Sequence, residues 1–370
     1  METSNLANEY AQINKIVQVY NKNLIKRSFL LANLSKSEFP KLINIPIFHN
    51  IYGLINFRLK DWEESINNFE TAIKLNPKFV EAYYNMGLAY FEIGNLEKSY
   101  NYLFKAINIK KDYIRARNKI IELLSFYKPK KVSENYLIKL HQKIKEISYN
   151  IDFSKKILDE QITDYINRCK KLVTNELEDL SYNKYQIFRR KSLFLNCERH
   201  KGIFVKYNAI PNYCFGCFKV VIISKNLIDL IKVALVFDQV NYFFNFNRKS
   251  IVDKRYGDTL YKSLIYCTSV DQVYEVEKNT KDILTKIVDQ DIIIESKRGC
   301  SEFALSYPNY KKIYKDKSKL MNYPNEWIAN EKEFDEENTK DNIESKRIIQ
   351  DTLSGGSLNN FLIINNWLND

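Results

Sequence analysis

Cys197 and His200 stand with two residues between them, and after residues 201–213 Cys214 and Cys217 repeat that spacing. Such pairs let two side chains reach one ion from a tight turn, and Gly216 inside CFGC suits the turn. Four ligands of the C-x2-H and C-x2-C kind satisfy tetrahedral zinc. The expected site is therefore structural zinc on Cys197, His200, Cys214 and Cys217, with Cys267 and Cys300 able to replace a ligand. A redox C-x-x-C dithiol lacks the surrounding βαβ pattern it would need. Inert buried thiols are the third reading.

The elements that must position these residues follow from the pattern around them. GIFVKYNAI between the two pairs reads as a strand, which would make 196–217 a small zinc-ribbon-like hairpin. FKVVIIS is short and β-branched, a buried strand, and KNLIDLIKVALVF has helical spacing. RKSIVDK and LYKSLIYC read as strands, SVDQVYEVEKNTKDILTKIV as a capped helix, and DIIIESK as a last strand. The order β-α-β-β-α-β is the ferredoxin-like arrangement, expected over 218–313. That topology puts the first strand between the third and fourth, so Cys197, Cys214, Cys217, Cys267, Cys300 and His200 would gather at one end of the sheet.

Two further uses of that end are weighed. An enzyme could place its site at Cys214, Cys217, Cys267 and Cys300, with Lys297, Arg298 and Glu302 nearby. A solvated loop is the preferred reading of those charges, and no phosphate-cradling loop, HExxH or nucleophile elbow is present. RNA or DNA could stack on Tyr261 and Tyr266 of the third strand, with Arg248, Lys249, Lys254, Arg255, Lys297 and Arg298 for phosphates. The basic-aromatic-glycine signature of RNA modules is missing, and this reading is secondary.

The first third of the chain repeats itself. PIFHNIYGLINFRLKDWEESINNFETAIKLNP aligns with VEAYYNMGLAYFEIGNLEKSYNYLFKAINIKK, so that Gly53 and Gly87, Ser65 and Ser99, Phe69 and Leu103, and Ala72 and Ala106 each lie 34 residues apart. Small residues recur where helices cross closely, and large ones where they fill the crossing. Pro77 closes the first unit. These residues resemble the tetratricopeptide repeat (TPR) family over about 46–125, with units at 46–79 and 80–113 and degenerate flanking units within 1–126. The resemblance implies an all-α superhelix with a concave groove for a protein or peptide. One variant of the family grips a C-terminal carboxylate with five polar groove residues. Carried across, Asn85, Arg115 and Lys119 fit that pattern, while Asn50 and Leu54 stand where Lys and Asn are wanted. Tyr84, Asn85, Leu88, Arg115 and Lys119 are thus the candidate groove residues, and an acidic peptide their candidate ligand.

Residues 127–195 read as a helical spacer that could extend the superhelix, with His141 and Cys169 as packing residues. Residues 314–370 read as a charged helical tail, with a hinge at Gly355 and Gly356 before a docking helix bearing Phe361, Leu362, Ile363, Ile364, Trp367 and Leu368. The formal charge of +12 fits an acidic partner. The apolar run after residue 219 is broken by Lys225, Asp229 and Lys232 and is not expected to span a membrane. No signal-peptide pattern opens the chain, so a cytoplasmic protein with reduced thiols is expected. Taken together, the sequence describes a multi-domain adaptor, TPR superhelix first and α+β domain second.

Overall fold

A computed structural model describes residues 6–129, 135–177, 181–189, 197–254, 260–337 and 356–370; Arg255, Gly355 and residues 338–347 of the charged tail lie outside them. The described residues up to Leu123 form one compact unit and those from Leu124 onward another. Among the described residues no helix is long and apolar enough to cross a membrane.

The first unit is helical: α1 (Ala7–Asn21), α2 (Ile25–Glu38), α3 (Pro46–Arg58), α4 (Trp62–Leu75), α5 (Val80–Glu92), α6 (Leu96–Ile109) and α7 (Ile114–Leu124). The repeat in sequence is a repeat in bonding. Asp61 caps α4 by accepting from the Glu64 amide, and Asn95, 34 residues on, caps α6 by accepting from Lys98. Ser65 donates to the Gly53 carbonyl at 2.9 Å, and Ser99 repeats the bond to Gly87 at 2.8 Å. The helices approach so closely there that a methyl group on Gly53 would lie 2.6 Å from the Phe69 ring, and one on Gly87 would lie 2.8 Å from Leu103. Ala72 and Ala106 are fully buried. The opening helices share a core of Ile13, Ile16, Leu42, Phe48 and Ile55.

The second unit carries α8 (Tyr136–Tyr149), α9 (Asp159–Leu177), β1 (Gln186–Arg189), α10 (Cys197–Tyr207), α11 (Asn212–Phe215), β2 (Phe218–Ser224), α12 (Leu227–Gln239), β3 (Asn247–Asp253), β4 (Leu260–Cys267), α13 (Val270–Ile287), β5 (Ile293–Arg298), α14 (Trp327–Glu337) and α15 (Leu358–Asn369). Its sheet runs β1-β3-β4-β2-β5, with every neighbouring pair antiparallel. β2 therefore lies between β4 and β5, and Phe218 pairs with both Cys267 and Arg298. Asn226 and Ser269 cap α12 and α13, which pack on the sheet.

Four features differ from the sequence expectation. β1 is an additional edge strand that the pattern of QIFR is too short to announce. Residues 197–207 are helix α10 rather than a strand, so the segment forms no ribbon hairpin. Apolar residues at 203, 204 and 207 fall at helical spacing, and they pack with Phe303, Tyr310 and Trp327 in a small second core. Within residues 127–195, α8 and α9 belong to the second unit rather than extending the superhelix, and they pack against α12 and α15. Their apolar faces meet those of α15, whose Phe361 and Ile364 are fully buried. Gly356 is buried rather than a hinge: its amide donates to Ser148 Oγ at 3.0 Å, and a Cβ would lie 2.9 Å from Ser148 Cβ.

A buried charge network ties these elements together. Asp238 at the end of α12 accepts from Arg189 of β1 at 3.0 and 3.1 Å and from Arg248 of β3 at 3.4 Å. Asn360 of α15 donates to the same carboxylate at 2.5 Å and accepts from Arg189 at 2.7 Å.

Candidate functional site

The first candidate site lies on the opening helices of the repeats, α3, α5 and α7, which adjoin in sequence order. Asn85 is buried and donates to Asn50 Oδ1 at 2.9 Å, joining α5 to α3. Arg115 of α7 lies over the Tyr84 ring at 4.7 Å, and Tyr84 meets Tyr113 edge-on. Lys119 lies over Phe91 at 3.5 Å and pairs with Glu122 at 3.2 Å. The structure therefore brings Tyr84, Asn85, Arg115 and Lys119 together, with Leu88 half-buried on the same helix. It separates the two bases by role. Lys119, its side chain 15% exposed, is committed to Glu122 of its own helix and to the Phe91 ring of α5, whereas Arg115 is exposed and held by the Tyr84 ring. Sequence reasoning missed Asn50 as a bonding partner of Asn85; only their side-by-side helices reveal it.

The second candidate site lies at one end of the sheet. Cys214 and Cys300 pack in the same small core; their interaction, followed by burial, pushes the Cys214 thiol up, and the same interaction lowers Cys300. Cys217 and Cys197 act electrostatically on Cys214, and Cys300 and Cys197 act on Cys217. Cys267, at the end of β4, interacts with Cys217 alone among the cysteines. Burial pushes the Cys217 and Cys267 thiols up to about 12, which makes them poor nucleophiles at neutral pH. No disulfide joins any of the six cysteines. His200 is buried and stacked on Tyr213 at 5.2 Å. Burial, followed by the Arg199 charge, lowers its pKa, and Glu331 partly offsets this. Arg199 is forked onto Asp335 at 2.7 Å and onto Glu331 at 2.9 Å, which fixes α10 against α14. Among the described residues, no three His, Cys, Asp or Glu side chains already converge as a metal-binding group.

The residues read as a nucleic-acid platform do not form one. Arg298 is 3% exposed, donates to the carbonyls of Phe215 and Met321, and lies over Phe215, Phe218 and Tyr310. Arg248 is equally buried in the Asp238 network. Alternation along β4 puts Tyr261 on the face of buried Ser263 and Ile265, and Tyr266 on the opposite face, where it meets Phe188 edge-on. Two bases cannot stack side by side on rings that face apart. The lone residues of the spacer are packing residues: Cys169 is fully buried and His141 is 8% exposed.

Residues 53–94 match the family described as TPR repeat, and residues 80–113 match the family described as tetratricopeptide repeat. The chain thus carries tetratricopeptide repeats within 53–113. The human protein named Tetratricopeptide repeat protein 6 is 36% identical over 68 residues, which are 18% of this chain and 13% of that protein. The chain therefore spans a small part of the curated relative it matches. Among solved structures, the first TPR of Spaghetti (RPAP3) bound to HSP90 peptide SRMEEVD is 16% identical, covering 31% of this chain and 89% of that one with a TM-score of 0.29. A structure of MamA is 23% identical, covering 33% and 71% with a TM-score of 0.27.

Proposed function

We propose that this protein is an interaction adaptor whose tetratricopeptide unit docks an acidic peptide along α3, α5 and α7. The observation that carries this reading is the exposed Arg115 guanidinium, held over Tyr84 beside the Asn50–Asn85 pair. A guanidinium anchored by a ring presents its remaining donors to a carboxylate at low entropic cost. The Asn50–Asn85 bond, with Asn85 buried, fixes the spacing between neighbouring helices. Lys119 adds positive potential but not a free ammonium, because Glu122 and Phe91 hold it. The net charge of +12 favours the same class of partner.

The α+β unit supports the adaptor as a second body. Its strand order over 218–298, with β2 between β4 and β5, is what a ferredoxin-like reading requires, with β1 added at the edge. The catalytic alternative at Cys214, Cys217, Cys267 and Cys300 is weakened by the burial that raises the Cys217 and Cys267 thiols.

The test uses the full chain and synthetic peptides in calorimetry. One set ends in acidic residues with a free carboxylate, a second is amidated, and a third carries Lys for Glu. Acidic free-carboxylate peptides are expected to bind best, and Arg115→Glu is expected to weaken them about tenfold or more, the loss typical of an Arg that the docked partner covers. Equal binding of all three sets, or no effect of Arg115→Glu in a folded variant, rejects the reading.

A further inference from the structure

We propose that Cys197, Cys214, Cys217 and Cys300 take up one zinc ion as a four-thiolate site, with His200 outside it. The site would join the first turn of α10, the α11 knuckle and the exit of β5.

Packing gathers the four cysteines in one region. Cys214 and Cys300 lie in one small core, Gly299 closes on Cys217 Sγ, and the His200–Tyr213 stack holds α10 beside α11, with Cys197 one turn before His200. Two tight turns shape the site. In the first, the Gly216 amide donates to Tyr213 and the Cys217 amide donates to Cys214, both at 3.2 Å. In the second, the Gly299 amide donates to the Cys217 carbonyl at 2.8 Å. A Cβ on Gly299 would fall 2.5 Å from Cys217 Sγ, so the glycine leaves the sulfur a cradle that any other residue would fill. Tyr310 donates to the Cys214 carbonyl at 2.9 Å.

Charge supplies an independent argument. Lys219 and Arg298 are 9% and 3% exposed, and both border this cluster. Neither forms an ion pair among the described residues. Burying cations without a counter-charge is costly. Four thiolates around Zn2+ carry a net charge of −2, which matches two buried cations. The acidic side chains that face Lys219 are Cys300, Glu302 and Cys217, two of them proposed ligands, and Lys297 adds a further cation.

His200 stands apart from this set. Its ring is stacked on Tyr213, and its charged neighbours are Arg199 and Glu331. Cys267 ends β4, paired with Phe218 and outside both turns. Binding exchanges four S–H bonds for four Zn–S bonds and releases the displaced protons to solvent, without electron transfer. The sulfurs must close to about 2.3 Å from the ion, so the metal completes an arrangement the fold has only begun. It would fasten the small core of α10, α14 and residues 300–327 to the end of the sheet.

The full chain, purified without added metal and then titrated with zinc, is assayed by elemental analysis. Alkylation of each cysteine is read by mass spectrometry before and after chelation. About one zinc per chain is expected, with chelation raising the reactivity of Cys197, Cys214, Cys217 and Cys300 together and leaving Cys169 and Cys267 unchanged. Cys300→Ser should abolish tight binding, and His200→Ala should retain it. The labelling pattern needs no variant, so misfolding of Cys300→Ser leaves the test intact. Absence of bound zinc overturns the proposal, as does a wild-type chain whose Cys300 reactivity ignores chelation. Loss of metal in His200→Ala overturns the ligand set.

Discussion

Replacing Asp238 by alanine should loosen the C-terminal helix from a distance. Its carboxylate is wholly inaccessible, and the two arginine side chains it serves are each 3% exposed. Arg189 donates twice to it, Arg248 once, and Asn360 of α15 once. The substitution strands two guanidiniums in a site closed to water. Arg248 keeps its bonds to the carbonyls of Phe243 and Phe246, and Arg189 keeps Asn360, which limits the damage. Breaking a buried pair by removing one partner costs about 3–5 kcal/mol, a large part of the roughly 5–15 kcal/mol that stabilises a domain. At about 1.4 kcal/mol per factor of ten, amide exchange in residues 358–369 should accelerate a hundredfold or more. Hydrogen exchange read by mass spectrometry measures this directly, and fluorescence of buried Trp367 in urea checks it. Exchange within threefold of the parent chain would refute the assignment of this network as the tie between β1, β3, α12 and α15. The companion variant Asp238→Leu with Arg189→Met and Arg248→Met should recover much of the loss, because it removes the charges together.

The pH dependence of the second unit should follow His141. Burial, with Lys145 and Arg189 adding to it, lowers this histidine from 6.5 to about 4. The unfolded chain therefore takes up a proton before the folded one does, so the contribution is complete above about pH 6.5 and is lost as pH falls towards 4, amounting to about 3 kcal/mol over that window. Urea midpoints at pH 7.5 and 5 should differ in the parent chain, and the difference should shrink in His141→Gln. In the repeats, Gly87→Ala would place a methyl group 2.8 Å from Leu103 Cγ and 3.3 Å from its backbone nitrogen. Leu103 is fully buried. The crowding should cost about 1–3 kcal/mol by thermal unfolding even after the gain in helix propensity. A stabilised variant would show that the crossing of α5 and α6 can open.

Much of the architecture was legible because it is written in local spacing. The 34-residue recurrence of Gly, Ser and Ala marks the same helix crossing twice, and the structure realises it as the same Ser-to-Gly carbonyl bond twice. The strands at 218–224, 247–253, 260–267 and 293–298 and the helices between them follow the period of their apolar residues. The signal failed at 197–207, where the β-branched and aromatic residues of GIFVKY suited a strand and a hydrophobic helix face alike. Partners contributed by residues 303–334 chose the helix. The groove was legible only in part, since Arg115 and Lys119 look alike on paper and only Glu122 and Tyr84 divide their roles.

The sequence by itself determined the repeat, the order of strands and helices over 218–298, and which cysteines carry metal-ligand spacing, because each rests on residues close together in the chain. Tertiary structure decided the rest. It brought Cys300 to Cys214, buried Arg248 and Arg298, turned Tyr261 and Tyr266 to opposite faces, and seated α15 on Asp238. Those outcomes depend on which distant surfaces exclude water from one another, and no short-range period encodes that.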